Sequence, residues 1–224
     1  MFKILIVEDE PLTSEALKRF ITREIDDVHA DVALNVPEAK AHIEAAQDND
    51  EPYHVVVLDM MLPSENGLTA TLDETVCGML KRTMPHTLVA HITAFLEHEK
   101  VQNHLESFHG PSQIDLSFSL SKDEDDPEKG AYSAQLISNL KPFLYGLRIE
   151  DQLNDLFNGG GVVGYSVNRA WRKDLTDRSK THELAALTRN ISTDWDYLSE
   201  GLKTRIRDIF KVVVKDGEVM VSLF

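Results

Sequence analysis

VVVLDMMLPSENG, residues 55–67, drives four apolar residues into Asp59 and then breaks into a loop holding Pro63 and Gly67. A carboxylate at the tip of a buried strand is costly unless it is paired or used. Comparable apolar runs recur at 4–7, 88–92 and 114–120, with a weaker one at 30–34. Helix-like stretches separate them. Leu12, Ala16, Leu17, Phe20 and Ile21 share one 3.6-residue face behind Pro11, which suits a first helical turn, and Pro37 opens a second helix. Continuous Val/Ile/Leu runs joined by helices imply parallel strands covered on both faces, an α/β doubly wound five-stranded sheet. The helix expected over 131–145 contains Pro142, which predicts a kink or a restart there.

In such a sheet, binding groups collect outside the C-terminal ends of the strands. The residues at those ends are Glu8 and Asp9, Asp59, Thr93 and Lys122. Three converging carboxylates repel one another unless a cation neutralises them, and hard oxygen donors in a partly hydrated site suit Mg²⁺. Thr93 offers a hydroxyl donor, and Lys122 can pair with a carboxylate or a phosphoryl oxygen. That set fits phosphoryl transfer, in which positioning and charge neutralisation supply most of the catalysis. An aspartate can itself be the nucleophile and carry an acyl phosphate.

On KILIVEDE, VVVLDMMLPSENG, HITAF and FSLSK, the chain resembles the CheY-like receiver domain of two-component response regulators over roughly residues 1–146. The resemblance implies a flavodoxin-like fold with Asp59 as phosphoacceptor, Thr93 as switch hydroxyl and Lys122 as phosphate-binding lysine. By it, Mg²⁺ is held by Asp9, Asp59 and the backbone carbonyl of Met61, with Glu8 acting through water. It also implies a sensor histidine kinase or phosphotransfer protein as partner, and a regulatory phosphoprotein rather than an enzyme. Two departures stand out: Ser119 occupies the usual aromatic position three before the lysine, with Phe118 beside it, and Asp123 replaces the proline that usually follows the lysine. Met61 and Phe95 fall where receiver side chains border the path of attacking water.

Composition narrows the function further. Residues 1–150 hold 27 Asp and Glu against 12 Lys and Arg, whereas 151–224 hold 11 of each. The acidic part disfavours non-specific attachment to nucleic acid or anionic lipid. No apolar run approaches the roughly 18 residues of a membrane span, and the lone Cys77 excludes an internal disulfide. A cytoplasmic location without membrane contact is expected. Histidines 86, 91, 98, 104 and 109 lack the three- or four-residue spacing that aligns metal ligands on a helix. Cys77 reads as a small buried side chain.

The expected organisation is a receiver at 1–146, a linker at 147–160 and a small α+β output domain at 161–224. Gly159, Gly161 and Gly164 formally match a dinucleotide-binding fingerprint, but they follow a helix-like segment rather than a strand and read as linker. THELAALTRN predicts a short helix, separated by IST from a second carrying Trp195, Leu198, Leu202, Ile206, Ile209 and Phe210 on one face. Ser192, Thr193 or Asp194 is its expected N-cap. KVVVKDGEVMVSLF predicts a hairpin turning at Asp216-Gly217, pairing Lys215 with Glu218 and Val212 with Val221. Helix, turn, basic helix and hairpin is the order of a winged helix-turn-helix, with Lys203, Thr204 and Arg207 as candidate DNA contacts. The alternative is a module for protein interaction or homodimerisation.

Overall fold

The computed structural model describes residues 1–63, 70–71, 74–108, 117–122, 131–156 and 181–223. They divide into two compact units, Met1–Ser138 and Asn139–Phe224. The first unit is built on five parallel strands: β1 (Phe2–Val7), β2 (Val28–Ala33), β3 (Val55–Asp59), β6 (Leu88–Thr93) and β7 (Ser117–Ser121). Their order is β2-β1-β3-β6-β7, so the chain reverses direction across the sheet between β1 and β3. Every residue of β3 and β6 is buried, which explains why these strands read as unbroken apolar runs rather than alternating ones.

Helices α1 (Pro11–Glu24), α2 (Val36–Asp48), α3 (Glu74–Thr83) and α4 (Glu99–Phe108) connect the strands, and α5 (Tyr132–Leu156) follows β7. Leu5, Val7, Val56, Leu58 and Val89 join Ala39, Ile43 and Ala46 of α2 and Val76, Cys77 and Leu80 of α3 in one core layer. Ile4 and Ile6 are wholly buried on the opposite face of β1, each worth about 2 kcal/mol of hydrophobic stabilisation. Asn35 caps α2 by accepting from the Glu38 N–H at 2.9 Å, while Glu38 reaches back to accept from the Leu34 N–H at 2.8 Å. These reciprocal bonds satisfy two backbone donors at the helix entrance.

Three local expectations are corrected. The buried face of α1 is Ser14, Leu17 and Ile21, whereas Leu12 is 78% exposed and Ala16 is also exposed. Ser14 tolerates full burial because its hydroxyl donates to the Pro11 carbonyl at 3.0 Å. Helix α5 carries Pro142 without restarting and extends through Leu156, so the helix-like segment at 147–156, expected as part of a linker, continues α5. A two-residue ribbon, β4 (Leu62–Pro63) with β5 (Ala70–Thr71), follows Asp59, while Gly67 lies outside the described residues.

In the second unit, α6 (Thr181–Asp194) leads through a 3-10 turn at Trp195–Tyr197 to α7 (Glu200–Ile209) and the hairpin β8 (Phe210–Lys215) and β9 (Glu218–Leu223). The helix break lies after Asp194, not at IST. Ser199 is the N-cap of α7, its side chain accepting from the Leu202 N–H, in place of the expected residues 192–194. Leu187, Ile191, Trp195, Leu202, Ile206 and Phe210 form this unit's core with Ile149 and Leu153 of α5. The hairpin register is as expected, Lys215 opposite Glu218 and Val212 opposite Val221. Asp216 and Gly217 both adopt positive φ, at 52° and 81°, as a two-residue hairpin turn requires. Gly159, Gly161 and Gly164 lie outside the described residues.

Candidate functional site

Parallel registration brings the polar strand ends to one edge. β1 pairs Val7 with Leu58, and β3 pairs Asp59 with Ile92. The residues just beyond these pairs, Glu8 and Thr93, therefore emerge beside Asp59. β6 pairs Thr93 with Ser121, and the Lys122 N–H donates to the Thr93 carbonyl at 2.8 Å, which anchors the lysine backbone at the same edge.

Lys122 joins groups distant in sequence. Its Nζ donates to Asp59 Oδ2 at 2.6 Å and to Glu8 Oε2 at 2.7 Å. Glu8 is 2% exposed and Asp59 5%. Carboxylate oxygens of Glu8, Asp9 and Asp59 all lie within 4.8 Å of one another. Burial pushes the Glu8 carboxyl above its usual range; Lys122 pulls it down, and Asp59 and Asp9 add to the rise. For Lys122, burial works against the ammonium, but Asp59 and then Glu8 outweigh it and raise its pKa. One ammonium thus faces three carboxylates.

That imbalance answers whether the residues fit a divalent cation. Three clustered carboxylates with a single neutralising lysine form a hard, oxygen-rich donor set with negative charge to spare, which suits Mg²⁺ over softer metals. Among the described residues this is the one group of three or more metal-competent side chains. The Met61 N–H donates to Asp59 Oδ1 at 2.9 Å, which holds the carboxylate at the strand tip and brings the Met61 backbone next to it. The Thr93 hydroxyl is fully buried and accepts from the Phe95 N–H at 3.0 Å, leaving its own proton for another acceptor.

The remaining expected residues sort differently. Ser119 stands opposite His91 in the sheet, and Phe118 takes the alternate face. His91 is fully buried in β6, while His86 and His98 are exposed. Lys203 Nζ lies 3.0 Å from Glu200 and Arg207 lies 3.9 Å from the same carboxylate. Both cations sit over the Trp195 ring, at 5.8 and 5.0 Å. The Thr204 hydroxyl donates to the Glu200 carbonyl at 2.9 Å. All three candidate DNA contacts thus lie on one stripe of α7, already engaged within their own unit.

Sequence reasoning missed Tyr132. At the start of α5, its phenol is raised by burial, opposed by Lys122 and reinforced by Glu8, Asp59 and Glu10, so it lies within electrostatic reach of the site. With Ser133 it lines a cleft of about 270 Å³ against Thr13, Ala16, Leu17 and Phe20 of α1. Its only sequence signal is an aromatic opening the helix that follows the lysine.

The response regulator receiver domain model matches residues 4–108, from β1 to the end of α4. β7 and Lys122 lie beyond the match, and the parallel register brings them back to its carboxylates. The osmosensing histidine protein kinase SLN1 of Saccharomyces cerevisiae is 28% identical over 107 residues, 47% of this chain and 8% of that protein. Similar solved structures include a two-component response regulator from Clostridium difficile, 20% identical, covering 66% of this chain and 98% of that one at a TM-score of 0.47. Another is the signal receiver domain of a DNA-binding response regulator (merR) from Colwellia psychrerythraea 34H, 18% identical over 64% and 98% of the two chains, with a TM-score of 0.45. Residues 4–108 thus match the response regulator receiver domain model, and the five-stranded parallel sheet and the carboxylate edge lie in the same part of the chain.

Proposed function

We propose that the chain is a cytoplasmic two-component response regulator whose Asp59 accepts a phosphoryl group from a histidine kinase or phosphotransfer protein. The observation that carries this reading is Lys122 Nζ held 2.6 Å from Asp59 Oδ2, within a cluster of three carboxylates. In the transfer, a carboxylate oxygen of Asp59 attacks the phosphorus of a phosphohistidine. The P–N bond breaks with its electron pair leaving on the imidazole, and an acyl phosphate forms on Asp59. Lys122 moves from its carboxylate partners toward a phosphoryl oxygen, and the Thr93 hydroxyl donates to another. Asp9, Asp59 and the Met61 carbonyl would hold Mg²⁺, with Glu8 acting through water, and the ion would supply neutralisation of the phosphoryl oxygens.

The chain is then a regulatory phosphoprotein, not a metabolic enzyme, and the second unit is its output. Phosphorylation adds charge and acceptor oxygens at the sheet edge, and the equilibrium shifts only as far as Thr93 and Lys122 bind that group better in the active state. Two readings of the output differ in class. The order α6, α7, hairpin matches a winged helix controlling transcription. A protein-interaction module is favoured by the engagement of Lys203 and Arg207 with Trp195 and Glu200, and by the charge balance of residues 151–224.

Incubation with Mg²⁺ and a small phosphodonor, followed by intact-mass measurement, tests the acceptor. Addition of one phosphoryl group to the wild type and none to Asp59→Asn is expected; equal labelling of both overturns the assignment. Selective, salt-sensitive capture from a genomic DNA pool after phosphorylation supports the transcriptional reading, and no capture supports protein interaction.

A further inference from the structure

The hairpin of the second unit has two chemically different edges. Among the described residues, β8 and β9 pair with no other strand. One face, through Val212, Val219 and Val221, packs on the core formed with α6 and α7. The other face leaves Val213 38% and Met220 54% exposed, and Val214 at the hairpin tip is 57% exposed. A two-stranded sheet with apolar residues outside its core contact is a template for further pairing unless its edges are blunted by charge.

β8 is blunted. About a two-fold axis at its central Val213, antiparallel pairing of β8 with a second copy sets Lys211 against Lys215, and again by symmetry, so like charges meet directly across the joint with Glu218 only on the flanking strand. β9 carries no lysine. In a two-residue hairpin the closing pair, Lys215 and Glu218, exchanges backbone hydrogen bonds, so Glu218 and Met220 point their amides toward β8 while Val219 and Val221 point theirs outward. About a two-fold axis at Met220, Val219 then meets Val221 of the second copy as a hydrogen-bonding pair, and Val221 meets its Val219.

Every row across the resulting four-stranded sheet is consistent. On the core face it reads Val214, Val219, then Val221 and Val212 of the second copy. On the outer face it reads Val213, Met220, then Met220 and Val213 of the second copy. Glu218 falls opposite Ser222, so no like charges meet directly across the joint. Even-numbered shifts of register keep the faces aligned but set Glu218 against Met220 or shorten the pairing. We propose that β9 is a homodimerisation edge, pairing antiparallel with β9 of a second copy about a two-fold axis at Met220.

Ser222 gives a clean test because it is exposed and lies opposite Lys211 within its own hairpin. Ser222→Glu forms a favourable pair inside the hairpin but opposes Glu218 twice across the joint. Sedimentation equilibrium of the full chain is expected to show a dimer that S222E weakens by about fivefold or more in Kd. Glu218→Gln in that background should restore it, with circular dichroism melts confirming the fold. Met220→Cys should cross-link symmetrically under mild oxidation, since Cys77 is buried, whereas Val213→Cys should not. A wild-type chain that stays monomeric at high concentration, a dimer indifferent to S222E, or equal cross-linking from Val213→Cys overturns the proposal.

Discussion

Each unit of the molecule buries acidic side chains against one cation, and the two arrangements differ in a single respect. Asp194 is 2% exposed and pairs with Arg148, whose side chain is 21% exposed. Glu8 and Asp59 are 2% and 5% exposed and pair with Lys122, whose side chain is 19% exposed. Burial is nearly matched, but charge is not. Arg148 and Asp194 balance one to one, stapling α5 to α6 with Arg148 also over the Tyr145 ring. Lys122 is outnumbered by Glu8, Asp59 and Asp9. Equal burial with unequal charge separates a structural pair from a site that retains a demand for further positive charge.

Breaking the balanced pair should have the largest effect. Asp194→Ala leaves the part-buried Arg148 guanidinium without that carboxylate, which should cost about 3 kcal/mol of stability in urea unfolding. The loss should not respond to Mg²⁺. Lys122→Met keeps the aliphatic stem but leaves three carboxylates facing one another. It should cost about 2 kcal/mol in the presence of a chelator. Millimolar Mg²⁺ should recover part of that loss, and equal Mg²⁺ responses in the two variants would erase the distinction.

Smaller effects sharpen the same contrast at partners that carry no surplus charge. Ser199→Ala removes the side-chain acceptor for the Leu202 N–H and should lower stability by about 1 kcal/mol, with phosphate uptake unchanged. At Tyr53, whose hydroxyl donates to Asp31 Oδ2 at 2.8 Å, the phenol is buried and the carboxylate partly exposed. Burial pushes the Asp31 carboxyl up, but Tyr53 and His29 outweigh it and hold its pKa below the ordinary value. That stabilisation is fully present above the ordinary carboxylate pKa and is lost as pH falls through the lowered one. Tyr53→Phe should therefore cost about 0.5 kcal/mol at neutral pH after solvent screening, and the gap to wild type should close in acid.

Replacing Met61 and Phe95 with polar residues tests another feature of the receiver edge. Met61 is half-buried against Met60, Val101 and Leu105, and Phe95 is 54% exposed. Loss of phosphate should accelerate severalfold if they shield the acyl phosphate, and an unchanged lifetime in a chase experiment would sink that role.

Much of the receiver was legible because its signals are local. Val55–Asp59 announces a buried parallel strand, and Pro11 and Pro37 announce helix starts, through side-chain chemistry that acts within a few residues. The hairpin was legible to the residue for the same reason, since Asp216-Gly217 sets the turn and the turn sets the register. The α1 face was misread because Leu12 continues the helical apolar pattern yet lies where no neighbour covers it. Residues 147–156 read as helix-like but were assigned to a linker, because their polar residues hide the packing role that Ile149 and Leu153 take in the second core.

The primary structure alone settled which residues end the strands, and hence that Glu8, Asp9, Asp59, Thr93 and Lys122 would share an edge of any parallel sheet built from those runs. Tertiary structure decided how their charges are shared. The Lys122 ammonium reaches Glu8 across 114 residues of sequence and Asp59 across 63, and both bonds depend on the register of strands that are not consecutive in the chain. Likewise, Arg148 and Asp194 are unremarkable on separate helices until packing excludes water around them. Local sequence sets backbone conformation through short-range sterics and hydrogen bonding, whereas the strength of a charge pair depends on the solvent removed from it, which only the assembled fold determines.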